Sequence, residues 1–121
     1  RLFVSGELVG IPAFRVTATG AKSGQPRSFV LYGFSEGETI SLIASNFGRA
    51  RHPSWYYNLK ANPKCVVEWK GTSREYIARE AVGEERERRW QTAVSYYKGY
   101  ELYAVRAAPR RIPVMILEPL K

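Results

Sequence analysis

The 121-residue chain contains no aspartate; all eleven of its acidic residues are glutamate. It has a single histidine, His52, and a single cysteine, Cys65. A Cys/His zinc site needs several such ligands, so this chain cannot build one alone. A Ser-His-Asp triad is excluded, and a glutamate version would rest entirely on His52. One cysteine forms no internal disulfide, which fits a reducing cytoplasm. No apolar run reaches the length of a membrane-spanning helix. An initiating methionine is also missing: the chain opens on Arg1, which is read as a truncated N-terminus. Residues 1–12 are apolar but broken by Gly6 and Gly10, and they are left unassigned.

What is present is an average globular mixture, 45% hydrophobic and 25% charged. At this length it points to one domain over residues 1–121 with a real core. Nineteen basic residues outnumber the acids and give a net charge of +8. Such a surplus suggests an acidic partner: phosphate, polycarboxylate, nucleic acid or anionic lipid. The acids are interleaved with the bases and no nucleic-acid motif occurs, so a specific nucleic-acid role ranks last. With so few acid–base or metal options, an enzyme built on this chain needs a bound organic cofactor for the difficult chemistry.

The pattern predicts six strands. Ala13 to Thr19 (AFRVTAT), Arg27 to Phe34 (RSFVLYGF) and Thr39 to Ser45 (TISLIAS) are β-branched or aromatic runs joined by short Gly-containing turns, an antiparallel meander. Pro53 sits where a first helical residue would, and the helix SWYYNLKAN must end at Asn62-Pro63. Lys64 to Lys70 and Ser73 to Val82 flank a hairpin turn at Gly71-Thr72. Gly83 opens a helix on which Trp90, Ala93, Val94 and Tyr97 share one face. Gly99 is expected to interrupt it before a second short helix, YELYAVRAA. Arg111 to Glu118 reads as the last strand, with Pro113 arguing for an edge or a bulge. The fold class is therefore mainly β: a six-stranded, mostly antiparallel split β-barrel with peripheral helices.

Four segments could carry chemistry. Gly20 to Ser28 joins a Gly-rich turn to Lys22, Ser23, Arg27 and Ser28, the donor set for phosphate or carboxylate oxygens, although an ordinary hairpin turn has the same composition. Ala44 to Gly48 could lay backbone and a small hydroxyl against a flat ring, or simply end a strand. His52 to Leu59 holds Trp55, Tyr56 and Tyr57 in succession. Adjacent helical residues point about 100° apart, so these three rings cannot all enter one core. They serve core packing, a stacking platform, or both. Tyr96, Tyr97, Tyr100 and Tyr103 carry four hydroxyls that suit a polar pocket wall better than a dry interior. His52 is read as a loop cap rather than a base.

In this order, TATGAKSGQPR (17–27), ASNFG (44–48), HPSWYYNLKANP (52–63), the tyrosine-rich 96–103 and IPVMILEP (112–119) resemble the deazaflavin-dependent nitroreductase family, an actinobacterial group with a split-barrel fold. The resemblance covers most of the chain from Ala13 onward, and HPxWYxNLxANP is its most specific block. It implies coenzyme F420, a deazaflavin with a phosphate and a polyglutamate tail, held by Ala21, Lys22, Ser23, Arg27 and Ser28. Phe29, Val30, Leu31, Tyr32, Ile43, Ala44, Ser45, Asn46, Ser54, Trp55, Tyr56, Tyr57 and Asn58 would line the ring and ribityl chain. Tyr32, Ser45, Tyr97, Tyr100 and Tyr103 would face the acceptor, with Tyr100 also against the cofactor. Ala21 stands where a basic residue is usual, which should weaken the tail grip. Phe47 replaces a glycine, which is expected to place a ring beside the cofactor entrance and narrow it.

The resemblance thus implies a reductase that passes hydride from reduced F420 to a quinone, enone or nitro compound, with no metal. FMN on the same barrel and a non-catalytic F420 carrier remain the alternatives. A monomer or homodimer in the cytoplasm is expected, with peripheral contact at the inner face of the membrane left open by the lipophilic acceptors.

Overall fold

The computed structural model describes residues 11–120; the unassigned 1–10 segment lies outside them. Seven strands form one antiparallel sheet: β1 (Ala13–Thr19), β2 (Pro26–Tyr32), β3 (Phe34–Glu36), β4 (Thr39–Ile43), β5 (Lys64–Trp69), β6 (Thr72–Glu80) and β7 (Val114–Pro119). Three α-helices, α1 (Ser54–Ala61), α2 (Gly83–Tyr96) and α3 (Gly99–Ala107), and a short 3-10 turn (Asn46–Gly48) accompany them among the described residues. The order across the sheet is β2-β1-β5-β6-β7-β4-β3. Its two edge strands, β2 and β3, are therefore successive in the chain, separated only by Gly33. The sheet curls until its edges are the two halves of one bent run, which is the split-barrel shape.

The expected six strands become seven because the run 27–34 breaks at Gly33. A Cβ there would lie 2.7 Å from both Ile40 and the Phe14 ring, so the backbone itself fills the space between β1 and β4. The Gly33 N–H donates to the Pro12 carbonyl at 3.1 Å. Before the bend the chain pairs with β1; after it, with β4.

Strand β7 shows why the closing run VMIL has no alternation of polarity. Met115 and Leu117 enter one cluster with Phe14, Val16, Leu42, Trp55 and Leu59, closed by α1. Val114 and Ile116 enter the other, with Trp90, Ala93, Val94 and Tyr100 beneath α2 and α3. A strand covered on both faces must be apolar throughout. Pro113 consequently marks neither an edge nor a bulge: it precedes a central strand, and its carbonyl accepts from the Ala44 N–H at 3.0 Å. The strand begins at Val114, not Arg111.

Two turns sharpen the reading. The β5–β6 hairpin turns on Lys70-Gly71, with φ of 50° and 78°, and Thr72 already belongs to β6. Two successive positive φ values match the twist of a two-residue hairpin. Pro53 caps α1 from outside, and Ser54 is its first residue.

The basic residues of α2 are not all solvated. Arg86 and Arg89 are buried among the helix's core-facing side chains. Arg86 donates to the Ile112 carbonyl (2.6 Å) and covers the Trp90 ring. Arg89 donates to the buried Ser41 hydroxyl (2.8 Å).

Gly33→Ala should lower stability by about 1–3 kcal/mol, because neither the Phe14 ring nor Ile40 can withdraw from the seam without shifting the core. We expect a lower urea midpoint at unchanged m-value; an unchanged midpoint would show that the seam has slack.

Candidate active site

Two clefts follow one another along β2. The first, of about 590 Å³, lies between the 20–28 turn and α1. Ala21, Lys22, Ser23, Arg27, Ser28, Phe29, Ser54, Trp55, Tyr57 and Asn58 line it, together with Gly20 and Arg51. The second, of about 770 Å³, is walled by Val30, Leu31, Tyr32, Ile43, Ser45, Tyr97, Tyr100 and Tyr103, with Ile11, Ala13 and Phe47.

The turn at the first cleft is held from two sides. Its own backbone closes through Gly20 N–H to Gln25 O (2.8 Å) and Gly24 N–H to Gly20 O (3.0 Å), with Gly24 at φ 69°. Helix α1 grips it through Asn58 Oδ1, which accepts from the Ala21 N–H at 2.9 Å. The Ser23 hydroxyl accepts from the Gln25 N–H. Trp55 is buried and stacks on Phe29 at 5.6 Å and 20°, fixing helix to strand. Tyr57, one residue beyond the Trp-Tyr pair, is exposed to the cleft. The aromatic triplet thus divides as helical geometry requires, between core and groove.

Three cations, Lys22, Arg27 and Arg51, stand in this wall, and among the described residues no carboxylate lines either cleft. Every glutamate of the described residues is elsewhere, several of them tied up by arginines on α2 and β6. Arg79, for example, bridges Glu85 and Glu118. The Arg79 guanidinium beside Glu85 holds that carboxyl below the usual range. Segregation of this kind leaves the cleft positively charged and suited to anionic oxygens.

The second cleft collects the tyrosines despite a broken helix. α2 stops at Tyr96, Tyr97 takes extended backbone, and α3 restarts at Gly99. The Tyr97 ring folds back over Gly99, where a Cβ would overlap the phenol, so any larger residue there would displace that ring. The fold-back sets Tyr97 5.1 Å from Tyr100 (82°) and 6.1 Å from Tyr103, centroid to centroid. The Tyr97 and Tyr103 hydroxyls share a 3.2 Å hydrogen bond. Burial keeps the Tyr100 phenol well above its ordinary pKa, and the bond to Tyr97 raises that of Tyr103. Both are protonated at neutral pH and able to donate. Tyr96 is exposed and stands apart.

Three residues expected at the cofactor stand outside both clefts. Ala44 is fully buried in the core. Asn46 turns its amide to the Arg51 carbonyl (2.8 Å). Tyr56 donates to Glu80 Oε1 (2.7 Å), and desolvation pushes its phenol up to about 12. Cys65 is buried, which pushes its thiol up to about 11 and removes it as a nucleophile.

Two arginines were not singled out from the sequence. Arg51 is one residue before the His-Pro pair, and its position beside that motif was the available signal. Arg110 is a clasp. Its guanidinium donates to the carbonyls of Ala44 (3.1 Å), Ser45 (2.7 Å) and Arg49 (2.9 Å), and to His52 Nδ1 (2.8 Å). Arginine only donates, so Nδ1 must be unprotonated. His52 therefore serves the loop between the clefts, as expected, and does so as an acceptor.

Desolvation and the Arg110 charge lower the pKa of His52 below its ordinary 6.5. Between the lowered and ordinary values the unfolded chain binds more protons than the fold. Stability from this group is therefore full above about pH 6.5 and is lost as pH falls through the folded value. In His52→Gln an amide oxygen can still accept but does not titrate. We expect the fall in urea midpoint between pH 7 and 5 to be shallower in that variant; an identical slope would remove His52 from the clasp.

Comparison with known proteins fits this geometry. A model of the F420H(2)-dependent quinone reductase family matches residues 3–119. An F420H(2)-dependent quinone reductase of Mycobacterium tuberculosis is 41% identical over 56 residues, 46% of this chain and 38% of that protein. The match thus covers well under two thirds of that relative. A second M. tuberculosis protein, carrying the same name in provisional form, is 29% identical over 109 residues, 90% of this chain and 91% of its own. The solved structure of an F420-H2 dependent reductase superimposes with a TM-score of 0.80 at 42% identity, over 88% of this chain and 94% of that one. The chain belongs to the F420H(2)-dependent quinone reductase family.

Proposed function

We propose that this protein is an F420-dependent reductase that delivers hydride to a quinone, and to enones or nitro compounds of similar electron demand. The observation that carries this reading is the pairing of clefts along β2: one cationic and, among the described residues, lined by no carboxylate, the next apolar with tyrosine hydroxyls. The donor set fits the group. Lys22, Arg27, Arg51, Ser23 and Ser28 would hold the phosphate and acidic tail. Trp55 stacked on Phe29 would give a flat ring a rigid wall to lie against.

When bound, a reduced deazaflavin supplies a hydride in one two-electron step, so the protein must position the acceptor rather than provide a metal or a nucleophile. Val30, Leu31 and Ile43 would exclude water from the acceptor. Tyr100 Oη, and whichever of the paired Tyr97 and Tyr103 hydroxyls accepts from the other, would donate to the acceptor oxygen as negative charge develops there. Ser45 borders the same space, and its carbonyl is fixed by Arg110. The family and its M. tuberculosis relative are named for quinone as acceptor.

The direct test mixes the protein with reduced F420 and menadione and follows the return of F420 absorbance. Catalysed return is expected; its absence despite tight F420 binding would favour a carrier, and tighter FMN than F420 binding would reject the cofactor assignment. Lys22→Ala with Arg27→Ala should weaken F420 binding by about 1–3 kcal/mol per lost contact, read by titration. Unchanged affinity would place the acidic tail elsewhere. Tyr100→Phe should lower kcat more than it alters F420 affinity, and the reverse pattern would make that phenol a cofactor contact only.

A further inference from the structure

The segment between β4 and α1 holds three consecutive residues at positive φ: Asn46 (49°), Phe47 (58°) and Gly48 (79°). Gly48 suits this conformation and has no room for a side chain. A Cβ would meet Arg106 Cβ at 2.8 Å and the Tyr103 carbonyl at 2.9 Å, so the turn is seated hard on α3. Asn46 is a residue type that tolerates the left-handed region, and its amide is bonded to the Arg51 carbonyl. Phe47 has neither excuse. A bulky side chain in the left-handed region is strained, and such strain persists only where the surroundings impose it.

Burial does not compensate. Phe47 is 64% exposed, among the most exposed aromatic rings of the described residues. It makes a T-shaped contact with Tyr103 (6.1 Å, 83°), and the Arg49 guanidinium lies 5.5 Å from its ring centroid. It nevertheless forms part of the wall of the tyrosine-lined cleft. A strained, water-exposed ring at the rim of an apolar cleft gains its burial only when something fills that cleft.

Resting on the function proposed above, we propose that Phe47 is the specificity-determining lip of the acceptor pocket, stacking on flat fused-ring acceptors and favouring them over single-ring ones. Arg49 lies over one face of the ring, and on this proposal the acceptor stacks on the other. The edge-on contact with Tyr103 couples the lip to the phenols that would meet the acceptor oxygen. A two-ring quinone reaches from those phenols toward the rim, whereas a one-ring quinone has less surface to offer Phe47. The selectivity comes from the area the second ring buries and from offset stacking.

The test compares the parent protein with Phe47→Gly, which relieves the backbone strain, and Phe47→Leu, which keeps apolar bulk without the aromatic face. Menadione binding is measured by equilibrium dialysis, with oxidised F420 bound and without it. Steady-state kcat/KM is measured for menadione and for benzoquinone. We expect Phe47→Gly to bind menadione about five- to tenfold more weakly, with Phe47→Leu intermediate. The kcat/KM preference for menadione over benzoquinone should fall by a similar factor, mainly through KM. The urea midpoint of Phe47→Gly should be no lower than the parent's, which separates the effect from misfolding. Equal menadione affinity in all three proteins, or an unchanged preference, overturns the lip. A parent that binds menadione through Phe47 but never oxidises reduced F420 leaves the lip standing and overturns the reductase reading instead.

Discussion

The bend at Gly33 is the constraint on which the rest of the molecule depends. Without a side chain, the backbone can lie against Phe14 and Ile40 while the chain passes from one edge of the sheet to the other. The curl that results encloses one apolar cluster and presents a second to α2 and α3. It also leaves β2 as an edge strand whose outward length runs past two clefts. Residues before the middle of that strand meet the cationic turn and α1; those after it meet the tyrosines. One strand thus sets the distance between the place where acidic oxygens can be held and the place where an acceptor can lie.

Electrostatics then divides the surface. Glutamates are drawn into pairs with arginines of α2, β6 and the segment before β7, as in Arg79 with Glu85 and Glu118 and Arg88 with Glu36. Among the described residues, the cations of the first cleft have no carboxylate beside them in its wall. Exposed ion pairs contribute little to stability, and here their greater consequence is where they leave positive charge uncompensated. The loop linking the clefts is rigidified by a different device, one guanidinium shared among three carbonyls and an imidazole. A planar fork with several fixed donors can do this; a lysine could not. The clasp fixes Ser45 and the strained Phe47 turn relative to the tyrosines, so acceptor-pocket geometry is coupled to a residue that touches neither cleft.

Much of this was legible before any coordinates. The Gly-Lys-Ser-Gly turn, the Trp-Tyr-Tyr start of α1 and the 97/100/103 tyrosines were each readable, because local chemistry and short spacing suffice to mark a turn, a helix face and a set of phenols. Arg51 and Arg110 were less so, since a single arginine in a basic chain carries no local signature. Arg110 meets its partners across more than fifty residues of sequence. The same limit hid the burial of Arg86 and Arg89, which look in sequence like the solvated face of a charged helix.

By itself, the order of residues determined the element types, the exclusion of a Cys/His zinc site and of a Ser-His-Asp triad built from this chain's own residues, and the inventory of donors and rings. Periodicity and turn chemistry act over a few residues, and that is their reach. Only the tertiary structure decided that residues 27–34 split into two strands at opposite edges, that Pro113 precedes a central strand, and that Tyr56 turns away to Glu80 while Tyr57 meets the cleft. Each of those outcomes depends on which distant side chain occupies the adjoining space. That is settled by packing, not by any pattern a local window contains.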